Sequence, residues 1–108
     1  MTSGTYDKIR ELATAGDVRV SDHGYGELAA DGILVAEVVA GVSAGMVPED
    51  YPAYPKGSCV LVLQRDGAGR PIHVVWGIPR GKSSPAVIVT GYRPDPDLWA
   101  DGLVRRKA

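Results

Sequence analysis

Three short apolar runs in the second half of the chain constrain its fold more than any other feature. They span residues 58–64, 70–76 and 86–92, and valine and isoleucine recur in them. The connector between the first two runs is short and contains glycine, which predicts an antiparallel hairpin. The longer connector, residues 77–85, contains glycine, serine and proline and predicts a mobile loop. We therefore predict an antiparallel meander.

The first half of the chain is predicted to supply helices. Residues 5–15 place apolar side chains on one helical face, and residues 18–21 alternate as in a short strand. Ser21 or Asp22 can cap a second helix that begins near His23. Apolar residues three or four apart in 33–44 predict a core helix. The predicted fold is α+β, with two to three N-terminal helices packed on an antiparallel sheet of three to four strands.

Prolines mark the segments that we expect to lie outside the sheet. Residues 46–57 contain three prolines and are interpreted as an ordered surface loop or an extended crossing. Their tyrosines, Tyr51 and Tyr54, can anchor this segment or stack on a nucleobase. Two further prolines end the sheet after residue 93, beyond which Leu98 and Trp99 can fold back onto the core. We expect one domain over residues 1–100 and a frayed basic tail over residues 101–108.

Composition indicates a globular protein without a strong electrostatic preference. The chain has 108 residues, 44% of them hydrophobic, and a formal net charge of -1. This length suits a single core, and the weak net charge leaves nucleic-acid binding to a local cluster of cations. One such cluster could be formed by Arg65, Arg70, Arg80, Lys82 and Arg93.

The single cysteine and the lengths of the apolar segments indicate the cellular compartment in which we expect the protein. Cys59 is the only cysteine, so the chain can form no internal disulfide, and its apolar run predicts a buried, inert thiol. The N-terminal residues do not resemble a signal peptide, and no apolar run is long enough to span a membrane. We expect a cytoplasmic protein that does not contact a membrane.

His73 lies in the middle of the second apolar run and is the main candidate for acid–base chemistry. If Ile72, Val74 and Trp76 face the helices, strand alternation turns His73 to the opposite side. On the third run, Val87 and Val89 would then join the core, which leaves Ile88, Thr90 and Tyr92 on the side of His73. A shift of one residue would reverse that assignment. The pairing of His73 with Tyr92 therefore depends on the register.

His23 is the only other histidine and falls where the second helix is predicted to begin. Such a position favours a neutral ring or a bound anion, but we favour a local hydrogen bond from His23 to the backbone or to Asp22 within the turn. Ligand spacing does not support a metal site built from His23, His73 and Asp22. We predict no metal and no cofactor.

Several segments, in their order and spacing, carry a family resemblance. The chain resembles the domain of unknown function 4258 family over residues 6–100, a family similar to the RelE-like and BrnT-like bacterial toxins. This resemblance implies helices on an antiparallel sheet in a RelE-like toxin arrangement, and it suggests ribonuclease activity. The segments that carry it are Ser21-Asp22-His23, Ile33 and Val38, Gly45, Tyr51-Pro52, Cys59 to Val62, Arg70 to Val75, Thr90 to Asp95, and Trp99.

The chain departs from the family pattern at two places. Members commonly carry arginines in the helix after the first histidine, but residues 23–32 contain none. Leu34 stands where a capping serine is common. The missing arginines remove a contribution to phosphate binding.

Two classes of function remain open. The first is a metal-independent endoribonuclease of toxin type that acts on single-stranded RNA and is neutralised by an antitoxin protein. His73 and His23 would transfer protons, Tyr92 would assist, and Arg80 or Arg93 would hold phosphate. The alternative is a noncatalytic protein-binding or regulatory domain that uses the open face of the sheet.

Overall fold

The computed structural model describes residues 3–107, which form helices on one face of a sheet. The helices are α1 (Gly4–Thr14), α2 (Asp22–Ala30) and α3 (Val35–Gly41), followed by a 3-10 turn at Val42–Ala44. The strands are β1 (Val18–Val20), β2 (Met46–Tyr51), β3 (Cys59–Arg65), β4 (Pro71–Gly77), β5 (Ala86–Tyr92), β6 (Trp99–Ala100) and β7 (Arg105–Arg106).

Serine side chains cap the N-termini of the first two helices. The Oγ of Ser3 accepts a hydrogen bond from the Tyr6 backbone N–H at 3.1 Å. The Oγ of Ser21 accepts from the Gly24 N–H at 2.9 Å, so Ser21 rather than Asp22 is the cap of α2. Leu34 precedes α3 without a side-chain cap, in accord with the missing serine at that position.

The main sheet has five strands in the order β1-β5-β4-β3-β2. The predicted α+β class and the antiparallel meander of β3, β4 and β5 are confirmed, but the predicted three to four strands are too few. β1 joins β5 in parallel at one edge. β2 forms the other edge in a segment interpreted as a loop or extended crossing, and its Pro48 falls where the pairing with β3 is irregular. An edge strand tolerates proline at such an irregularity.

The core lies between the helices and one face of the sheet. Ile72, Val74 and Trp76 are fully buried in it, which confirms the predicted orientation of β4. The other large contributors are Tyr6, Ile9, Leu28, Val38 and Val42 from the helical side and Val60, Val62 and Ile88 from the sheet.

A β-bulge changes the side-chain pattern of β5. Thr90 pairs with Val75, whereas Ile88 pairs with Trp76, so Val89 is an extra residue between them. Ile88 is therefore buried in the core, and Val89 is 38% exposed. The prediction that Val87 and Val89 join the core while Ile88 faces away is wrong. Beyond the bulge, Tyr92 pairs with His73, the pairing that depended on the register.

Residues 101–107 of the expected frayed tail form ordered structure, and Ala108 lies outside the described residues. β6 and β7 pair in an antiparallel C-terminal hairpin, Trp99–Arg106, and the Lys107 N–H donates to the Leu98 carbonyl at 3.0 Å. Trp99 is buried as predicted, but Leu98 is 62% exposed and does not fold back onto the core. Among the helices within residues 3–107, none is long and apolar enough to cross a membrane.

Candidate functional site

The candidate site lies on the sheet face opposite the helices, here called the open face. Side chains alternate along β3 and β4, so Leu61 and Leu63 share this face with His73 and Val75. The C-terminal hairpin covers the part of the face around His73. The rest forms a groove.

His73 is fully buried beneath the C-terminal hairpin. Its Nε2 lies 2.8 Å from the Leu103 carbonyl oxygen, and its Nδ1 lies 3.3 Å from the Tyr92 hydroxyl. Because a carbonyl can only accept, Nε2 carries the ring proton and donates it to Leu103. The lone pair of Nδ1 is then free to accept from the Tyr92 hydroxyl. The Trp99 ring meets the imidazole edge to face, with 4.4 Å between centroids.

The surroundings keep this pair neutral. Burial lowers the pKa of His73, although the hydrogen bond to the Leu103 carbonyl acts in the opposite direction. Burial likewise raises the pKa of the Tyr92 phenol. A neutral imidazole therefore accepts from a neutral phenol at cellular pH. Tyr92 is only half-buried, so it is the member of the pair that reaches the groove.

The open-face groove has a volume of about 590 Å³. Its apolar lining includes Leu61, Val75, Val87 and Val89, and tyrosines 51, 54 and 92 also line it. The bulge in β5 contributes directly, because it turns Val89 outward into the groove. The volume lies within the range of sites that bind small molecules or peptide side chains.

An ion pair fixes the C-terminal hairpin to β2 beside this groove. Arg106 donates from Nε to Glu49 Oε2 at 2.6 Å and from a terminal nitrogen to Oε1 at 3.2 Å. The Tyr51 hydroxyl also donates to Glu49 Oε1, at 2.8 Å. The Arg106 hydrogen bond lowers the pKa of Glu49, against an opposing effect of burial. The Arg106 guanidinium stacks on Trp99, 4.7 Å from its ring centre.

A second depression, here called the basic cleft, adjoins the groove. It has a volume of about 410 Å³, and Arg80 and Lys82 line it. Both depressions share Tyr54, Gly57, Ile78 and Pro79. Gly57 has φ 127°, and a Cβ there would overlap the Ile78 carbonyl oxygen. Only glycine allows the two loops to approach this closely.

The candidate residues predicted from sequence fall into separate places. His73 and Tyr92 meet on the open face. His23 is exposed on α2, in the helical layer, with its Nε2 3.9 Å from Glu27 Oε1. Arg80 lines the basic cleft. Arg93 forms an ion pair with Asp66 at 2.8 Å.

Sequence reasoning missed Glu49, Trp99 and Arg106 as parts of the site. Glu49 and Arg106 are 57 residues apart, and Arg106 lies in the expected tail, so no local pattern connects them. The apolar character of Trp99 predicted burial but not its contact with His73.

Cys59 is half-buried and lines the groove, so the expected full burial is wrong. Burial raises the pKa of its thiol, and the charge of Asp50 adds to that rise. Within residues 3–107, no group of three or more histidines, cysteines or carboxylates is placed to hold a metal ion.

Comparison with known proteins identifies a family and no characterised relative. The sequence model described as "Domain of unknown function (DUF4258)" matches residues 20–93. This match runs from the last residue of β1 to just beyond the end of β5 and includes His73 and Tyr92. No curated protein and no solved structure matches the chain.

Proposed function

The chain belongs to this family of domains of unknown function, and from that premise we propose that it is a noncatalytic binding domain. Its open-face groove would receive an apolar segment of a partner protein. The observation that carries the proposal is the aliphatic lining of the groove, where Val89 is 38% exposed. Burying an apolar side chain from the partner contributes about 1.5 to 3 kcal/mol.

The arrangement of the fold suits this role. Helices cover one face of the sheet, and the opposite face is covered only in part, by the C-terminal hairpin. Helices on a mainly antiparallel sheet are compatible with a RelE-like arrangement, which we include in the proposal. The partner would be a protein whose binding regulates the domain, whereas an antitoxin would be the partner in the nuclease candidate described below.

Selection from a random peptide display library tests the proposal. The recovered peptides should share apolar residues and bind the isolated protein. Val89→Glu, which places a charge in the groove, should abolish binding. Ala36→Glu, at an exposed position of α3, is the matched control and should leave binding intact. Binding that survives Val89→Glu would refute the assignment of the groove.

The Tyr92–His73 hydrogen bond favours a second candidate, metal-independent endoribonuclease activity on single-stranded RNA. The Tyr92 oxygen would take the proton of a ribose 2′-hydroxyl as its own proton passes to Nδ1 of His73. The 2′-oxygen would attack phosphorus, the bond from phosphorus to the 5′-oxygen would break, and that oxygen would take a proton from solvent. Tyr92 would contact the RNA, and His73 would act through it.

The other predicted residues contribute unequally to this second candidate. Arg80, exposed in the basic cleft, is available to hold phosphate. Arg93 would first have to leave Asp66. His23 lies in the helical layer, so we assign it no proton transfer in this scheme.

Cleavage of single-stranded RNA in the presence of EDTA tests the nuclease candidate. Tyr92→Phe and His73→Gln should each slow cleavage by about 10²- to 10⁴-fold. His23→Ala is the matched control and should leave the rate unchanged. A folded wild-type protein that cleaves none of a varied set of RNAs would eliminate this candidate and leave the binding domain.

A further inference from the structure

We infer that the partner segment is acidic as well as apolar, an inference that rests on the proposed binding function. Its apolar side chains would fill the open-face groove, and its carboxylates would lie against the cations of the adjoining basic cleft. The two depressions share the wall formed by Tyr54, Gly57, Ile78 and Pro79, so one extended segment can occupy both.

The charges beside this wall are predominantly positive. Arg80 and Lys82 line the basic cleft, Lys56 lines the groove, and all three residues are exposed. The ion pairs found within residues 3–107 involve none of these cations. The nearby acidic residues are Asp50, whose charge acts on Cys59, and Glu49, which is paired with Arg106. This positive balance contrasts with the net charge of -1 for the whole chain.

Backbone hydrogen bonds hold the loops that carry these cations. The Arg80 N–H donates to the Lys56 carbonyl at 3.1 Å, and the Lys82 N–H donates to the Pro79 carbonyl at 3.1 Å. The Ile78 N–H donates to the Ser58 carbonyl at 2.9 Å, which joins the two loops at their base. The backbone positions of the cations are therefore set before a partner binds, which reduces the entropy lost on binding.

The lining of the groove favours a peptide over RNA. Leu61, Val75 and Val87 present aliphatic groups, which pack against apolar side chains. The tyrosines of the lining can pack on an apolar side chain or stack on a nucleobase, so the aliphatic residues are what favour the peptide. Arg80 and Lys82 place positive charge in the basic cleft at one end of the groove. This arrangement suits an apolar segment that carries acidic residues at one end.

The test selects peptides from a random display library on wild-type protein and on the Arg80→Glu/Lys82→Glu variant. Both substituted residues are exposed, so circular dichroism should show an unchanged fold. Wild-type protein should enrich peptides that combine apolar residues with aspartate or glutamate, and the variant should enrich basic peptides. Replacing the acidic residues of a recovered peptide by their amides should weaken its binding to wild-type protein by about tenfold at low salt, and by less at high salt.

The possible failures are distinguishable from one another. Apolar peptides without acidic residues would overturn this inference and leave the proposed binding function intact. If Val89→Glu weakens the binding of none of the recovered peptides, the proposed function fails as well. A concentration-dependent dimer that Val89→Glu dissociates would identify a second copy as the occupant and overturn the inference. The inference would also be overturned if no acidic peptide were enriched and the wild-type protein bound single-stranded RNA that the Arg80→Glu/Lys82→Glu variant did not bind.

Discussion

Trp76 is the residue whose replacement most directly tests the packing of the core. Its side chain is fully buried, and its Nε1 donates to Gln64 Oε1 at 3.0 Å. The amide nitrogen of Gln64 donates in turn to the Val38 carbonyl at 2.6 Å. The indole therefore fills volume and also satisfies one end of a buried polar chain that links β4, β3 and α3.

Both contributions can be estimated for Trp76→Ala. Removing a buried indole costs about 3 to 5 kcal/mol, and leaving the Gln64 oxygen without a donor costs about 1 to 3 kcal/mol more. A domain of this size has a total stability of about 5 to 15 kcal/mol. We expect Trp76→Ala to lose most of that stability. Trp76→Phe, which keeps an aromatic ring, should lose about 2 to 4 kcal/mol and remain measurable.

Urea denaturation followed by circular dichroism measures these losses, and a double-mutant cycle isolates the hydrogen bond. Gln64→Leu alone strands both the Trp76 N–H and the Val38 carbonyl, whereas the double variant with Trp76→Phe strands only the carbonyl. The double variant should therefore lose about 1 to 3 kcal/mol less of its free energy of unfolding than the two single variants lose in sum.

Tyr25→Leu, at a position 65% exposed, is the control and should change stability by less than about 0.5 kcal/mol. If Trp76→Ala lost less than about 1 kcal/mol, the buried position of the indole would be refuted. Additive losses in the double-mutant cycle would refute only the hydrogen bond.

Local patterns were sufficient to predict the elements around the site. The apolar runs located β3, β4 and β5 to within a residue because buried strands favour β-branched side chains. The alternation around His73 predicted which side chains of β4 face the core. Ser21 was predictable as a cap because its hydroxyl satisfies a free N–H at the start of a helix.

Long-range pairings were beyond these patterns. The bulge at Val89 depends on how β5 meets β4, and nothing in the sequence of β5 marks an extra residue there. The contacts of Arg106 with Glu49 and of Leu103 with His73 join distant segments that have no shared periodicity. The sequence therefore predicted that His73 leaves the core face, but not that the C-terminal hairpin buries it.

Two further predictions concern groups on the open face. Alkylation of Cys59 by iodoacetamide should be slow near neutral pH and should accelerate as pH rises, because the raised pKa of the thiol reduces its thiolate fraction; rapid modification of the folded protein at pH 7 would contradict this. The second prediction is that His73 makes stability depend on pH. Its pKa is lowered in the folded state from an ordinary value of 6.5, so the unfolded chain binds more protons as pH falls below that value. The contribution to stability is complete above about pH 6.5 and is lost as pH falls toward the folded pKa. Urea denaturation at pH values from about 8 to 5 should show this loss, at values above those where the carboxylates titrate. His73→Gln should flatten the dependence, because an amide can donate to the Leu103 carbonyl without titrating. His23→Gln removes the exposed histidine instead and should retain the dependence. An equal slope in wild-type protein and His73→Gln would show that burial of the imidazole is not its source.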